Sequence, residues 1–92
     1  MNCTLKPTNQ FKKDLKLCQR RGLDLQLLTD VLKILIEGNP PPEKYHDHAL
    51  SGRFSCCREC HILPDWLLIY EYSEIDSIIY LTRTGTHSDL FK

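Results

Sequence analysis

His48, His61, Asp65 and His87 are the residues of this 92-residue chain whose types and placing could do chemistry. Each falls in a loop or at a strand end, where a rigid scaffold usually holds catalytic groups. His61 lies near the end of one expected strand and Asp65 in the turn after it, so a hairpin brings the two within several ångströms. His87 follows the turn-like Thr84-Gly85-Thr86, with Arg83 just before it. If the strand ends converge, imidazole, carboxylate and guanidinium share one pocket. Such a set suits metal-independent cleavage of RNA, in which a 2′-hydroxyl attacks the adjacent phosphate and the 5′-oxygen of the next nucleotide departs. Histidine titrates near neutrality and serves as acid or base. A guanidinium facing the phosphate stabilises the charge that builds there. DNA, lacking the internal nucleophile, is not a substrate for this chemistry.

Taken singly, each residue has a plainer reading. A loop histidine is commonly just solvated, an aspartate after proline forms turns, and Arg83 can simply pair with an acid. Phe91 is either a base-stacking platform or an apolar anchor for the tail, and the residue alone favours the anchor. A rival constellation is Cys57, Cys60 and His61, spaced like zinc ligands, with His46 or His48 as a fourth. In an extended strand Cys57 and Cys60 point to opposite faces, and no second C-x-x-C pair exists. The thiols therefore read as small core or surface residues, and neither metal nor cofactor is expected.

The elements that must position these residues follow from periodicity and turn signals. Cys3 to Lys6 reads as a short strand ended by Pro7, after which Thr8 or Asn9 can cap a helix carrying Phe11, Leu15 and Cys18 on one stripe. Gly22 ends that helix. Asp24 caps a second one, with Leu27, Leu28, Val31, Leu32, Leu35 and Ile36 on a broad apolar face, closed by Gly38. So short a connection implies a helical hairpin. Asn39 and the prolines at 40 to 42 open a loop to about Gly52 that carries His46 and His48. Strands are expected from Phe54 to Leu63, from Trp66 to Tyr72 and from Ile75 to Arg83. The second of these lacks alternation and should be central, covered on both faces. The expected fold is α+β in the order β-α-α-β-β-β: an N-terminal helical hairpin packed on a mainly antiparallel four-stranded sheet. Where the first strand docks is not readable from the chain.

Composition bounds the rest. A chain of 92 residues supports one domain and one core, and 41% hydrophobic with 26% charged residues is the balance of a folded globule. The first residues lack the layout of a secretory signal, and the longest apolar run, Trp66 to Tyr70, is too short for a bilayer, so a cytoplasmic protein with no membrane partner is expected. Five cysteines at irregular spacings suggest reduced thiols. The zero net charge argues against tight non-specific nucleic-acid binding, but Lys6, Lys12, Lys13, Lys16, Arg20 and Arg21 face only Asp14 within the first 21 residues. Lys12, Lys13 and Lys16 are thus an RNA-binding patch or a solvated helix surface.

Several strings carry a resemblance: Asp47-His48-Ala49-Leu50-Ser51-Gly52, Arg58-Glu59-Cys60-His61, Pro64-Asp65 and Arg83-Thr84-Gly85-Thr86-His87, with Phe11-Lys12-Lys13-Asp14 upstream. Together, the elements D-H-x-L-x-G, R-[ED]-x-H, P-D and R-x-G-[ST]-H, spread over nearly the whole chain, resemble the YafQ branch of the RelE-like toxins. The resemblance implies a toxin of a toxin–antitoxin pair that cleaves mRNA in the ribosomal decoding site, in contact with ribosomal RNA, and is silenced by a cognate antitoxin wrapped around it. It also implies that His48, His61, Asp65 and His87 are the active-site residues, Arg83 the phosphate contact and Phe91 the aromatic near the terminus. On that footing His87 is the general acid, Asp65 or His48 the base, and His61 orients the phosphate or the base. Ala49 stands where the family's namesake has proline, and the cysteine cluster and zero net charge depart from a strongly basic member. Two other readings remain beside this one: an antitoxin-binding module without useful catalysis, and a small zinc protein.

Overall fold

The computed structural model describes residues 2–91. Strand β1 (Thr4–Pro7) leads into helix α1 (Asn9–Arg20), started by Thr8, whose hydroxyl accepts the Phe11 N–H at 3.0 Å. Phe11, Asp14 and Cys18 are its buried face. Helix α2 (Leu25–Ile36) is capped by the Asp24 carboxylate, which accepts the Gln26 N–H at 3.0 Å, and buries Leu28, Val31 and Leu35. Gly22 between them takes φ +79°, a conformation costly for any residue with a Cβ, which lets the chain reverse in so few residues.

The sheet has five strands in the order β1-β5-β4-β3-β2: β2 (His48–Ala49), β3 (Arg58–Leu63), β4 (Trp66–Ser73) and β5 (Ile78–Gly85) complete it. All neighbours pair antiparallel except β1, which docks parallel against β5, with Thr4 opposite Ile78 and Pro7 opposite Leu81. As an edge strand, β1 tolerates a terminal proline that cannot donate to a ladder. The expectation of four strands is corrected by β2: the loop carrying the histidines pairs His48 with Glu59 and Ala49 with Arg58. A two-residue strand has no periodicity to read.

Two strand starts also differ from expectation. Residues 54–57 belong to a tight turn, in which Gly52–Phe54 form one 3₁₀ turn and the Cys57 N–H donates to the Phe54 carbonyl at 2.8 Å; the strand begins at Arg58. Likewise residues 74–77 are turn, with Ile75 96% exposed at its tip and Ser77 at φ +52°. Reversal between two eight-residue strands consumes Ile75 despite its apolar, β-branched side chain.

Central β4 is covered on both sides, which explains its unbroken apolar run. Trp66, Leu68 and Tyr70 join Phe11, Cys18, Leu28, Val31, Leu35, Cys60, Ile79 and Leu81 in the main core under α1 and α2. Leu67 and Ile69 face the other way, into a smaller core closed by Cys57, Leu50, Phe54 and Leu90 of the C-terminal helix α3 (His87–Leu90). Among the described residues no helix is long and apolar enough to cross a membrane.

Candidate active site

The face of the sheet that carries the smaller core also carries the chemistry. In the register of the sheet, Glu59 lies opposite both Ile69 and His48, and His61 lies opposite Leu67, so alternation brings His48, Glu59 and His61 to one face, beside α3. His87 is the first residue of α3 and meets them there. Its ring centroid is 5.7 Å from that of His61, which in turn lies 6.2 Å from His48 and 5.7 Å from His46. Four imidazoles and two carboxylates thus converge from β2 and the loop before it, from β3, from the β3–β4 turn and from α3.

His87 is held by Asp65, whose Oδ1 accepts the His87 backbone N–H at 2.9 Å and the ring Nδ1 at 2.6 Å. A carboxylate oxygen can only accept, so Nδ1 carries the proton and Nε2 is the atom left for substrate. The His87 backbone and ring N–H groups hold the Asp65 carboxyl below the usual carboxylate range. The placing of His87 depends on Gly85 and Asp89. Thr86 and Asp89 form a reciprocal cap, with the Thr86 hydroxyl accepting the Asp89 N–H at 3.1 Å and Asp89 Oδ2 accepting the Thr86 N–H at 2.9 Å. Gly85 sits so close that a Cβ would lie 2.8 Å from Asp89 Oδ2, and its φ of +156° adds to the demand for glycine. Arg21, at the end of α1, binds both Asp89 oxygens at 2.7 and 3.2 Å and ties α3 to the helical layer.

On the other side of His61, Glu59 is 4% exposed, with Oε1 3.2 Å from His61 Nε2 and 3.5 Å from His48 Nε2. His48 Nδ1 lies 2.8 Å from the His46 carbonyl and donates to it, which turns Nε2 toward Glu59. The loop is fastened by Asp47. Its carboxylate accepts the Tyr70 hydroxyl, and Arg58 Nε and Nη2 each at 2.6 Å. Burial, and then the Asp47 carboxylate, push the Tyr70 hydroxyl well above its ordinary value.

The expected catalytic residues therefore come together, but Glu59, Asp47 and His46 also belong to the assembly. Strand alternation could have pointed to Glu59, two residues before His61. Nothing local marks Asp47, whose partners are 11 and 23 residues away.

The remaining expected residues divide. Arg83 donates from Nε to Asp14 Oδ2 at 2.8 Å and from Nη2 to Oδ1 at 3.1 Å, the pairing with an acid that its sequence also allowed. The same Asp14 accepts the Thr84 N–H at 3.2 Å, at the edge of β5 beyond the end of β1. Phe91 is 43% exposed, 6.4 Å from the His87 ring and 5.9 Å from the Phe54 ring. The tail is anchored instead by fully buried Leu90, whose carbonyl accepts Arg53 Nη2 at 2.6 Å. Lys12, Lys13 and Lys16 are exposed on α1, which covers the opposite side of the sheet from the imidazoles. Cys57 and Cys60 lie in the two different cores and share no site. Burial pushes the Cys60 thiol up to about 12.

The chain as a whole has relatives in sequence and in fold. The family model described as a bacterial toxin of type II toxin–antitoxin system, YafQ, matches residues 3–92. The mRNA interferase toxin YafQ of Escherichia coli K12 is 40% identical over 85 residues, covering 91% of this chain and 90% of that protein. The crystal structure of the E. coli DinJ–YafQ toxin–antitoxin complex superposes with a TM-score of 0.90 at 35% identity and full coverage of both chains. A metal-bound toxin from Helicobacter pylori gives a TM-score of 0.90 at 41% identity, covering 99% of this chain and all of that one.

Proposed function

This chain belongs to the YafQ family of bacterial type II toxins, and on that premise we propose that it cuts messenger RNA on translating ribosomes through the imidazole cleft, by acid–base chemistry that needs no metal. The observation that carries this reading is the Asp65–His87 pair: a single carboxylate oxygen takes both N–H groups of His87, so the ring is fixed with Nε2 free, beside His61. His87 Nε2 then donates a proton to the departing 5′-oxygen as the 2′-oxygen bonds to phosphorus, leaving a 2′,3′-cyclic phosphate and a 5′-hydroxyl. His48 takes the 2′-hydroxyl proton, and buried Glu59 stabilises the imidazolium formed. Asp65 orients the acid; both of its short bonds go to His87, so the base falls to His48. His61 lies next to both rings and steadies the phosphate. Asp14 uses two of the three Arg83 guanidinium nitrogens, and the third is left for the phosphate. Phe91, half-exposed beside His87, offers a face on which a base stacks. Positioned acid and base groups each supply roughly 10² to 10⁴ in rate.

The E. coli relative was solved with its antitoxin DinJ, and a cognate antitoxin is the partner of this chain. The toxin works in the cytoplasm, where its ribosomes are, with the exposed lysines of α1 meeting ribosomal RNA. Because a relative was solved in metal-bound form, cleavage is assayed with and without chelator. Mapped on programmed ribosomes, the wild-type chain is expected to cut mRNA in chelator, and His87→Gln to lose at least about a hundredfold in rate. Intact transcripts with the wild-type chain would leave an antitoxin-binding module without catalysis as the better description.

A further inference from the structure

Arg53 stands apart from Arg21, Arg58 and Arg83, which each spend their charge on a carboxylate, that of Asp89, Asp47 and Asp14. Among the described residues Arg53 pairs with no acid: Nη2 donates to the neutral Leu90 carbonyl at 2.6 Å, and the guanidinium lies 4.9 Å from the centre of the Phe54 ring. We propose that Arg53 binds the mRNA backbone on the 3′ side of the cut, beyond a base stacked on Phe91, and thereby sets the direction in which the strand lies. The inference rests on the ribonuclease reading above and adds to it a residue and a polarity.

Ring contacts give the cleft an order. His61 neighbours His48 on one side and His87 on the other, at 6.2 and 5.7 Å between centroids. Past His87 comes Phe91 at 6.4 Å, then Phe54 at 5.9 Å, edge to face, and over Phe54 the Arg53 guanidinium. His48 takes its proton from the 2′-hydroxyl, which belongs to the nucleotide upstream of the cut. His87 gives one to the 5′-oxygen, which belongs to the nucleotide downstream. The strand therefore runs 5′ to 3′ from His48 toward Phe91, and the phosphate that follows the leaving nucleotide comes to Arg53.

The guanidinium suits that contact. The Leu90 carbonyl takes an N–H group from one nitrogen, the Phe54 ring faces the delocalised charge, and the planar fork keeps an edge for phosphate oxygens. Its support is rigid: the Ser55 N–H donates to the Gly52 carbonyl at 3.1 Å, the Cys57 N–H to the Phe54 carbonyl at 2.8 Å, and Phe54 packs on the smaller core. A long side chain held in place before substrate arrives lowers the ordering cost of binding. The need for it is electrostatic. Glu59 and Asp65 put two carboxylates in the cleft, which repel a phosphate backbone, and Asp14 offsets the charge of Arg83. A cation at the downstream rim restores attraction without standing among the groups that move protons.

The test is cleavage, on programmed ribosomes, of an mRNA with a neutral methylphosphonate in place of the phosphate that follows the leaving nucleotide. That nucleotide is 2′-O-methylated to keep the linkage stable, and the control mRNA carries the same methyl group beside an ordinary phosphate. The wild-type chain is expected to need at least about fivefold more protein for half-saturation on the modified mRNA, with the plateau rate within about twofold. Arg53→Gln should need as much on the control mRNA and lose nothing further on the modified one. Arg53→Lys, which keeps the charge but not the fork, should recover part of the difference. Wild-type cleavage indifferent to the methylphosphonate, or a loss by the same factor in wild type and Arg53→Gln, would overturn the contact and leave Arg53 as a clasp for α3. A loss coupled to Arg53 only when the methylphosphonate sits upstream of the cut would overturn the strand direction. The wild-type comparison of the two mRNAs stands even if Arg53→Gln folds poorly. A wild-type chain that leaves the control mRNA intact overturns the ribonuclease reading, and this inference with it.

Discussion

In the proposed reaction, one hydrogen-bond acceptor decides the role of His87: with Asp65 on Nδ1, the proton that can leave for substrate is the one on Nε2. Asp65→Asn replaces that acceptor with a group that can present an amide donor to the ring, and it should cut the cleavage rate by about 10² or more with little change in the substrate concentration needed for half-saturation. Single-turnover cleavage on programmed ribosomes checks this, and equal losses in both parameters would mean that Asp65 acts in binding. The assignment of acid and base has its own check. An mRNA with sulfur in place of the bridging 5′-oxygen at the cut carries a leaving group that needs no proton. It should restore cleavage by His87→Gln while leaving His48→Gln slow; rescue of His48→Gln alone would exchange the two roles, and rescue of both or of neither would remove them.

Asp47 and Gly85 do for segments what Asp65 does for a ring. The loop from Asn39 reaches the sheet through a two-residue strand, too little pairing to fix His46 and His48, and the Asp47 carboxylate supplies the missing restraint by joining Tyr70 and Arg58. Tyr70→Phe removes one of those bonds without touching any imidazole. We expect it to preserve the fold and to slow cleavage several-fold, with amide exchange rising in residues 43–50 and unchanged in β4; unchanged exchange in the loop would show that Arg58 suffices. At the other end, Gly85→Ala brings a methyl group against Asp89 and breaks the reciprocal cap that starts α3. Activity should fall with displacement of His87, visible as a change in the His87 ring signals in NMR, even where the core remains folded.

Across the molecule, the central strand sends side chains into both cores, and the Arg21–Asp89 pair is a further tie between the helical layer and the face that carries the imidazoles. The Arg21 guanidinium, followed by the Thr86 N–H, holds the Asp89 carboxyl well below the usual carboxylate range. A carboxyl lowered in the folded state contributes stability that is complete above its unfolded value, about 4, and is lost as pH falls through the folded value. Asp89→Asn should therefore be less stable than the wild type at pH 7, and the gap should narrow below about pH 4. Urea unfolding at pH 7 and pH 3 measures it, and a gap independent of pH would assign the loss to packing. Leu68, fully buried among the helices, is the plainest core test: Leu68→Ala should cost about 2–5 kcal/mol.

What the chain declared locally was helices α1 and α2 with their caps, the central strand and the residue types of the site, because periodicity, capping residues and turn glycines act over a few neighbours; the four-residue α3 was not among them. Thr8, Asp24 and Gly22 do what their types imply, and the unbroken run from Trp66 is buried on both faces. The motif strings also group His48, His61, Asp65 and His87. Long-range pairing decided the rest. That β1 runs parallel to β5, that Ile75 is spent on a turn, that Arg83 is bound to Asp14 69 residues away, and that Glu59 lies between two histidines are outcomes of register and packing. No local stretch encodes them, because each depends on which distant segment the folded sheet sets alongside.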